Sequence, residues 1–239
     1  MMDDRSLETP DTEPTAARWL ASRSQGPYPS DSVFLHAPSF AFQATGGGEN
    51  QLVQTGRHLE GMDVPVRLFH PWTDRLIDAR VLHLFGMSRE GLELARAAKA
   101  RSVPVVLSPI CWYDPRALWA LEPTAARKLR AVGAWAARRA FRRLPGWRRD
   151  LLRMADAILP NSDEEAGQLA RLFGVDRRRI EVVPNGVLPD FGWGSPALFR
   201  ERVGDFEFVL FVGRVEPRKN PLGVIRAARR LGLPMVVVG

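Results

Sequence analysis

The chain has 239 residues, 45% of them apolar, which is enough to bury a sizeable core and to divide into one or two domains. Its one cysteine, Cys111, excludes an intrachain disulfide and suits a reducing cytoplasm, and no apolar run approaches the ~18 residues of a membrane span. The net charge of +7 is local: eleven bases face three acids between Trp112 and Arg153, a net +8 that leaves −1 for the remainder.

Residues 1–31 mix acids, Pro, Ser and Thr without a basic start and apolar run, so they read as a polar lead-in and not a signal peptide. Ser32-Val-Phe-Leu35 is a short strand before a loop ending in Gly46-Gly47-Gly48, and Leu52, Val53 and Leu59 then fall at helical spacing. Val64 to Phe69 and Arg80 to Phe85 read as the second and third strands. Ser88 opens a helix to Arg101, with Glu90 and Glu93 where the helix dipole favours acids. Val103 to Leu107 is the fourth strand, and after a basic, Trp-rich insertion Asp156 to Leu159 is the fifth. Ser162 caps a helix from Asp163 to Phe173, closed by Gly174, and Ile180 to Val183 reads as a sixth strand.

The alternation of Val- and Leu-rich strands with helices predicts an α/β fold around an open, mainly parallel sheet over residues 32–187. Residues 188–205, with Pro189, Gly192, Gly194 and Pro196, read as a linker. A second unit begins at 206 with a strand from Glu207 to Val212, a helix from Asn220 to Leu231 and a strand from Met235 to Val238. One strand–helix–strand unit cannot cover its own apolar faces, so this second domain, 206–239, is expected to be truncated.

The most informative stretch is Gly213 to Pro221, at a strand end and helix start where α/β units bind anions. Gly213 permits close approach, Arg214 can grip phosphate oxygens bidentately, and Lys219 adds a charge at the helix entrance. Val209 to Ala227, VLFVGRVEPRKNPLGVIRA, resembles the start of the second domain in retaining glycosyltransferases of family 4, which have the two-Rossmann-domain GT-B fold. Ile158-Leu-Pro-Asn-Ser162 and Val182-Val-Pro-Asn-Gly-Val187 are similar to segments that close the first domain in that family. The resemblance covers about residues 32–239.

That resemblance implies transfer of a sugar from a nucleotide-diphosphate-sugar donor to a sugar or lipid-linked acceptor, with retention of configuration. It implies that Arg214 and Lys219, with Gly213, bind the donor diphosphate, and that Gly46, Gly47 and Gly48 face the cleft. A metal or cofactor is not expected, since two cations replace the metal and Cys111 has no ligand partner at metal spacing. The family's cleft histidine after the fourth strand is missing from Leu107-Ser108-Pro109-Ile110; His83 is the nearest imidazole, read either as a core histidine or, with Ser108, as a cleft residue. The family's paired glutamates would lie beyond Gly239, so the chain is expected to be inactive alone.

Other classes are a non-catalytic Rossmann-like binding module and a basic nucleic-acid-binding protein. The basic stretch shows no nucleic-acid motif, so no such partner is expected. Within it, Ala125, Leu129, Val132, Ala136, Ala140 and Leu144 share one arc of a helix over 124–144, opposite Arg127, Lys128, Arg130, Arg138, Arg139 and Arg142. The stripe either packs on the first domain or rests on an anionic membrane, which would place a cytoplasmic protein at the inner surface.

Overall fold

Five short apolar segments make one sheet: β1 (Ser32–His36), β2 (Val66–Leu68), β3 (Ala79–Phe85), β4 (Val105–Ser108) and β5 (Ala157–Ile158). The order is β2-β1-β3-β4-β5 and every pair is parallel, with Val33 opposite Val66, Leu35 opposite His83 and Leu84 opposite Leu107. The computed structural model describes residues 16–24, 26–43, 46–111, 114–141, 145–187 and 194–238. Phe34, Leu35, Leu82, Val105, Leu107 and Ile158 have no exposed surface, as expected of strands covered on both faces. This is the α/β, Rossmann-like arrangement that the strand pattern predicts.

The helices are α1 (Ala16–Ser24), α2 (Gly47–Glu60), α3 (Arg89–Lys99), α4 (Pro115–Leu121), α5 (Ala125–Ala140), α6 (Trp147–Met154), α7 (Asp163–Phe173), α8 (Ala197–Val203) and α9 (Pro221–Leu231). Ser88 caps α3 through the Gly91 N–H at 2.8 Å, and Ser162 caps α7 through the Glu165 N–H at 3.2 Å. Gly174 closes α7 at φ +66°, a left-handed position that glycine takes without a Cβ penalty.

Three expectations change. The lead-in contains α1, because Trp19 is buried against Gly56, where an added Cβ would stand 2.4 Å from the indole, and its Nε1 donates to Glu60 at 2.8 Å. Ile180–Val183 does not form a sixth strand: Ile180 makes one isolated bridge to Ile158, and Glu181 and Val183 donate to Ile158 and Pro160. A parallel ladder would need a return bond from residue 160, and proline has no N–H to give. The linker contains α8, seven residues between Pro196 and Gly204, while residues 188–193 lie outside the described residues.

The Trp-rich insertion folds as α4, α5 and α6. No residue of α5 is buried, and Leu129 of its apolar stripe is 65% exposed. Arg142, Arg143 and Leu144 lie outside the described residues. Among the described residues no helix is long and apolar enough to cross a membrane.

The chain divides into two compact units, residues 1–112 with 137–185 and residues 113–136 with 186–239. The second holds β6 (Val209–Val212) and β7 (Met235–Val238), a parallel pair joined through α9.

Candidate functional site

In the order β2-β1-β3-β4-β5 the chain leaves β1 towards one side of the sheet and β3 towards the other. The crevice beyond the carboxyl ends of those two strands is where open α/β sheets bind ligands. His36 ends β1 there, and Gly86 follows β3 at φ +78°, its N–H donating to the Ser108 carbonyl at 2.8 Å.

Gly46, Gly47 and Gly48 lead into α2 at this edge. Gly46 donates its N–H to the Glu49 carboxylate at 2.9 Å, so one donor of the turn is already used by an acid. A Cβ on Gly47 would meet nothing within 4 Å, and one on Gly48 only the Ile110 Cδ1 at 3.5 Å. The turn is therefore open at Gly47, and its charge comes from a glutamate.

Carboxylates also pin the other loops of this edge. Glu90 accepts the Ser39 N–H at 3.2 Å and holds the loop after β1. Asp74 accepts the His70 N–H at 2.8 Å and a bidentate grip from Arg67 at 2.9 and 2.7 Å, fixing the loop after β2. Burial pushes the Asp74 carboxyl up, but the bonds from Arg67, His70 and Thr73 outweigh it and leave it below its ordinary value. Glu165, buried on α7, accepts the Cys111 N–H at 2.7 Å and the Asn161 N–H at 2.8 Å, tying together the loops after β4 and β5. Asn161 in turn accepts from Gln51 of α2 at 3.0 Å.

His83 and Ser108 do come together, with Nε2 3.0 Å from the Ser108 hydroxyl, but both are buried. The imidazole stacks on Phe85 at 4.2 Å, and burial pushes it down to about 4, so it is neutral at pH 7. This is the environment of a satisfied core histidine.

His36 stands outside the residues that the sequence pattern singles out. It is 6% exposed, its Nε2 has no hydrogen-bond partner, and Glu90 Oε1 stands 3.6 Å away. Burial lowers its basicity while Glu90 opposes that shift. A histidine closing a strand just before a glycine loop was the available signal.

On the β4 side of the edge, the Arg89 and Arg148 guanidiniums lie 5.9 and 4.3 Å from the centre of the Trp147 ring. The Cys111 thiol is held well above its ordinary value by burial, then by Glu165, with Arg148 opposing. Such a thiol is inert. Among the described residues no group of three or more His, Cys, Asp or Glu could hold a metal ion.

In the second unit, Gly213, Arg214 and Lys219 share the turn between β6 and α9. Gly213 has φ +139°, a conformation that favours glycine, and donates its N–H to the Val238 carbonyl at 2.8 Å. Asn220 caps α9 by accepting the Gly223 N–H at 3.2 Å, and Pro221 follows as its first residue. Arg214 and Lys219 are both exposed.

Comparison with known proteins gives concordant results. Residues 78–191 match the model of Glycosyltransferase Family 4. The chain is 43% identical over 81 residues to D-inositol 3-phosphate glycosyltransferase 2 of Catenulispora acidiphila, covering 32% of this chain and 19% of that protein. It is 44% identical over 81 residues to D-inositol 3-phosphate glycosyltransferase of Kribbella flavida, again 32% and 19%. With the enzyme of that name from Mycobacterium tuberculosis (strain ATCC 25177 / H37Ra) it is 42% identical over 90 residues, 36% of this chain and 19% of the relative. The matched stretch thus spans about a fifth of the length of these relatives. Residues 78–191, which carry β3, β4, β5 and the helices between and after them, are thus similar to glycosyltransferase family 4.

Proposed function

We propose that this chain serves the transfer of a sugar from a nucleotide-diphosphate donor to an acceptor, with the retention of configuration that the family resemblance implies. The observation that carries the reading is the β6–α9 turn: two exposed cations, Arg214 and Lys219, at the mouth of a helix capped by Asn220. In the reaction the bond between the anomeric carbon and the diphosphate oxygen breaks, and the diphosphate leaves with the electron pair. The acceptor oxygen bonds to the same carbon and gives its proton to the departing diphosphate oxygen. Positive charge fixed where the diphosphate develops its negative charge lowers the barrier. Arg214 supplies a planar fork for two phosphate oxygens and Lys219 a compact charge.

The acceptor takes the carboxyl edge of the first sheet, beside Gly47, His36 and Glu90. A phosphate on it, as in the D-inositol 3-phosphate of the relatives' name, would meet Arg89 and Arg148 at that edge. The test is a transfer assay on the full-length protein with Arg214→Ala and Lys219→Ala. Each should lower kcat/KM by about a hundredfold or more, with the thermal midpoint unchanged because both side chains are exposed. Near-normal kcat/KM in either variant removes that residue from the diphosphate site.

A further inference from the structure

Trp72 is 89% exposed, yet the turn that carries it is held by several hydrogen bonds. The Thr73 and Asp74 N–H groups donate to the His70 carbonyl at 3.2 and 2.9 Å. The His70 N–H donates to Asp74 in return, and Thr73 Oγ1 lies 3.0 Å from His70 Nδ1. Beneath the turn, Asp74 is gripped by Arg67, which also donates to the Gly26 carbonyl at 3.2 Å and lies 4.8 Å from the Tyr28 ring centre. Burying such an ion pair costs desolvation energy, and what it yields here is a loop of one shape. An indole held in water on a fixed mount is an unusual feature, since exposed aromatic surface on a rigid support marks recognition.

The position of the turn says what is recognised. It follows β2 at the carboxyl end of the sheet, the same edge that carries Gly46 to Gly48 and His36. Phe69, which opens the loop, donates its N–H to the Leu35 carbonyl at 2.9 Å and sets its ring 6.1 Å from that of His36. The Trp72 turn thus follows the strand next to β1 and lies on the β2 side of the β1–β3 crevice. Phe40, on the loop after β1, is 73% exposed at the same edge.

Resting on the transfer reading above, we infer that Trp72 is a preformed platform on which a sugar ring of the acceptor stacks, next to the ring that reacts. The C–H bonds on one face of a pyranose carry partial positive charge and meet the negative face of the indole. A platform on a turn already held by hydrogen bonds loses little backbone freedom when the sugar arrives. The acceptor is therefore a glycan or glycoconjugate of at least two rings.

The experiment measures retention of the full-length protein, Trp72→Ala and Trp72→Phe on an array of immobilised oligosaccharides and their component monosaccharides. Co-sedimentation with phosphatidylglycerol vesicles and binding of nucleoside diphosphates are measured alongside. The wild type should be retained by at least one glycan of two or more rings and not by the matching monosaccharide. Trp72→Ala should weaken that retention by about tenfold, and Trp72→Phe should restore most of it. The thermal midpoint should hold in both variants, because the side chain is exposed. Absence of glycan retention, retention indifferent to Trp72→Ala, or an effect of Trp72→Ala on vesicles alone would overturn the platform. Nucleotide binding should not respond to Trp72→Ala, so a failed platform leaves the transfer reading standing. Failure of that reading would instead appear as nucleotide binding indifferent to Arg214 and Lys219.

Discussion

Two strand-to-helix turns of this chain, β1–α2 and β6–α9, meet the same backbone requirement with opposite use of charge. In the first unit the charges are turned inward: Glu49 holds Gly46, Glu90 holds Ser39, Asp74 holds His70 and Arg67, and Glu165 holds Cys111 and Asn161. In the second, Arg214 and Lys219 stand exposed around a helix whose own cap is the neutral Asn220. Around the β1–α2 turn, loops fixed by internal carboxylates offer a diphosphate mostly repulsion and suit hydroxyls that must be placed accurately, while Arg89 and Arg148 lie apart on the β4 side of the edge. A turn with outward cations suits an anion. Glycine at a strand end is therefore not by itself a phosphate signature; the sign of the neighbouring charge decides.

The sharpest way to break the inward-facing pattern is Asp74→Asn. It leaves Arg67 charged, buried and unpaired, which costs about 3–5 kcal/mol in such pairs. The urea midpoint should fall accordingly, and a change under 1 kcal/mol would mean that the loop after β2 is held by other contacts.

Acid should have the next largest effect. His83 is held down at about 4 against an ordinary 6.5, so below 6.5 the unfolded chain takes up a proton that the folded chain refuses. The stability it contributes is complete above pH 6.5 and is lost as pH falls towards 4, about 3 kcal/mol in all. His36 is shifted in the same direction, by burial against an opposing Glu90, and adds to the slope. Asp74 and Asp156 are both depressed, so their contributions persist through this window and go only at lower pH. Unfolding free energies measured by urea at pH 7 and pH 4.5 should differ; equal values would place both imidazoles in contact with water.

Most of this architecture was legible in the sequence because it is local. The five strands of the sheet lie in short apolar runs, Ser88 and Ser162 cap helices through the N–H three residues ahead, and Gly213 to Pro221 reads as a strand–turn–helix junction directly. What escaped depends on partners far apart in the chain. Nine residues are too few to show periodicity, so α1 was hidden until Trp19 met Gly56 and Glu60. The sixth strand failed through Pro160, on the segment it would have paired with. The tethering role of Glu49, Glu90 and Glu165 was not legible because their partners are backbone N–H groups, 54 residues away for Glu165 and Cys111, and a sequence does not show which N–H groups lack partners. His36 escaped notice for the same reason: its orphaned Nε2 exists only once the neighbours are packed.

The most direct measurement of the central claim is the affinity of the full-length protein for UDP and GDP, by calorimetry, in Arg214→Gln, Lys219→Gln and Glu49→Gln. If the outward-charged turn takes the diphosphate, the first two variants should each weaken binding of the preferred nucleotide by about tenfold or more. Glu49→Gln should change it by less than about twofold, since it alters a turn that does not meet the phosphates. Binding that tightens strongly in Glu49→Gln, while remaining indifferent to Arg214 and Lys219, would place the diphosphate at the β1–α2 turn and contradict the account.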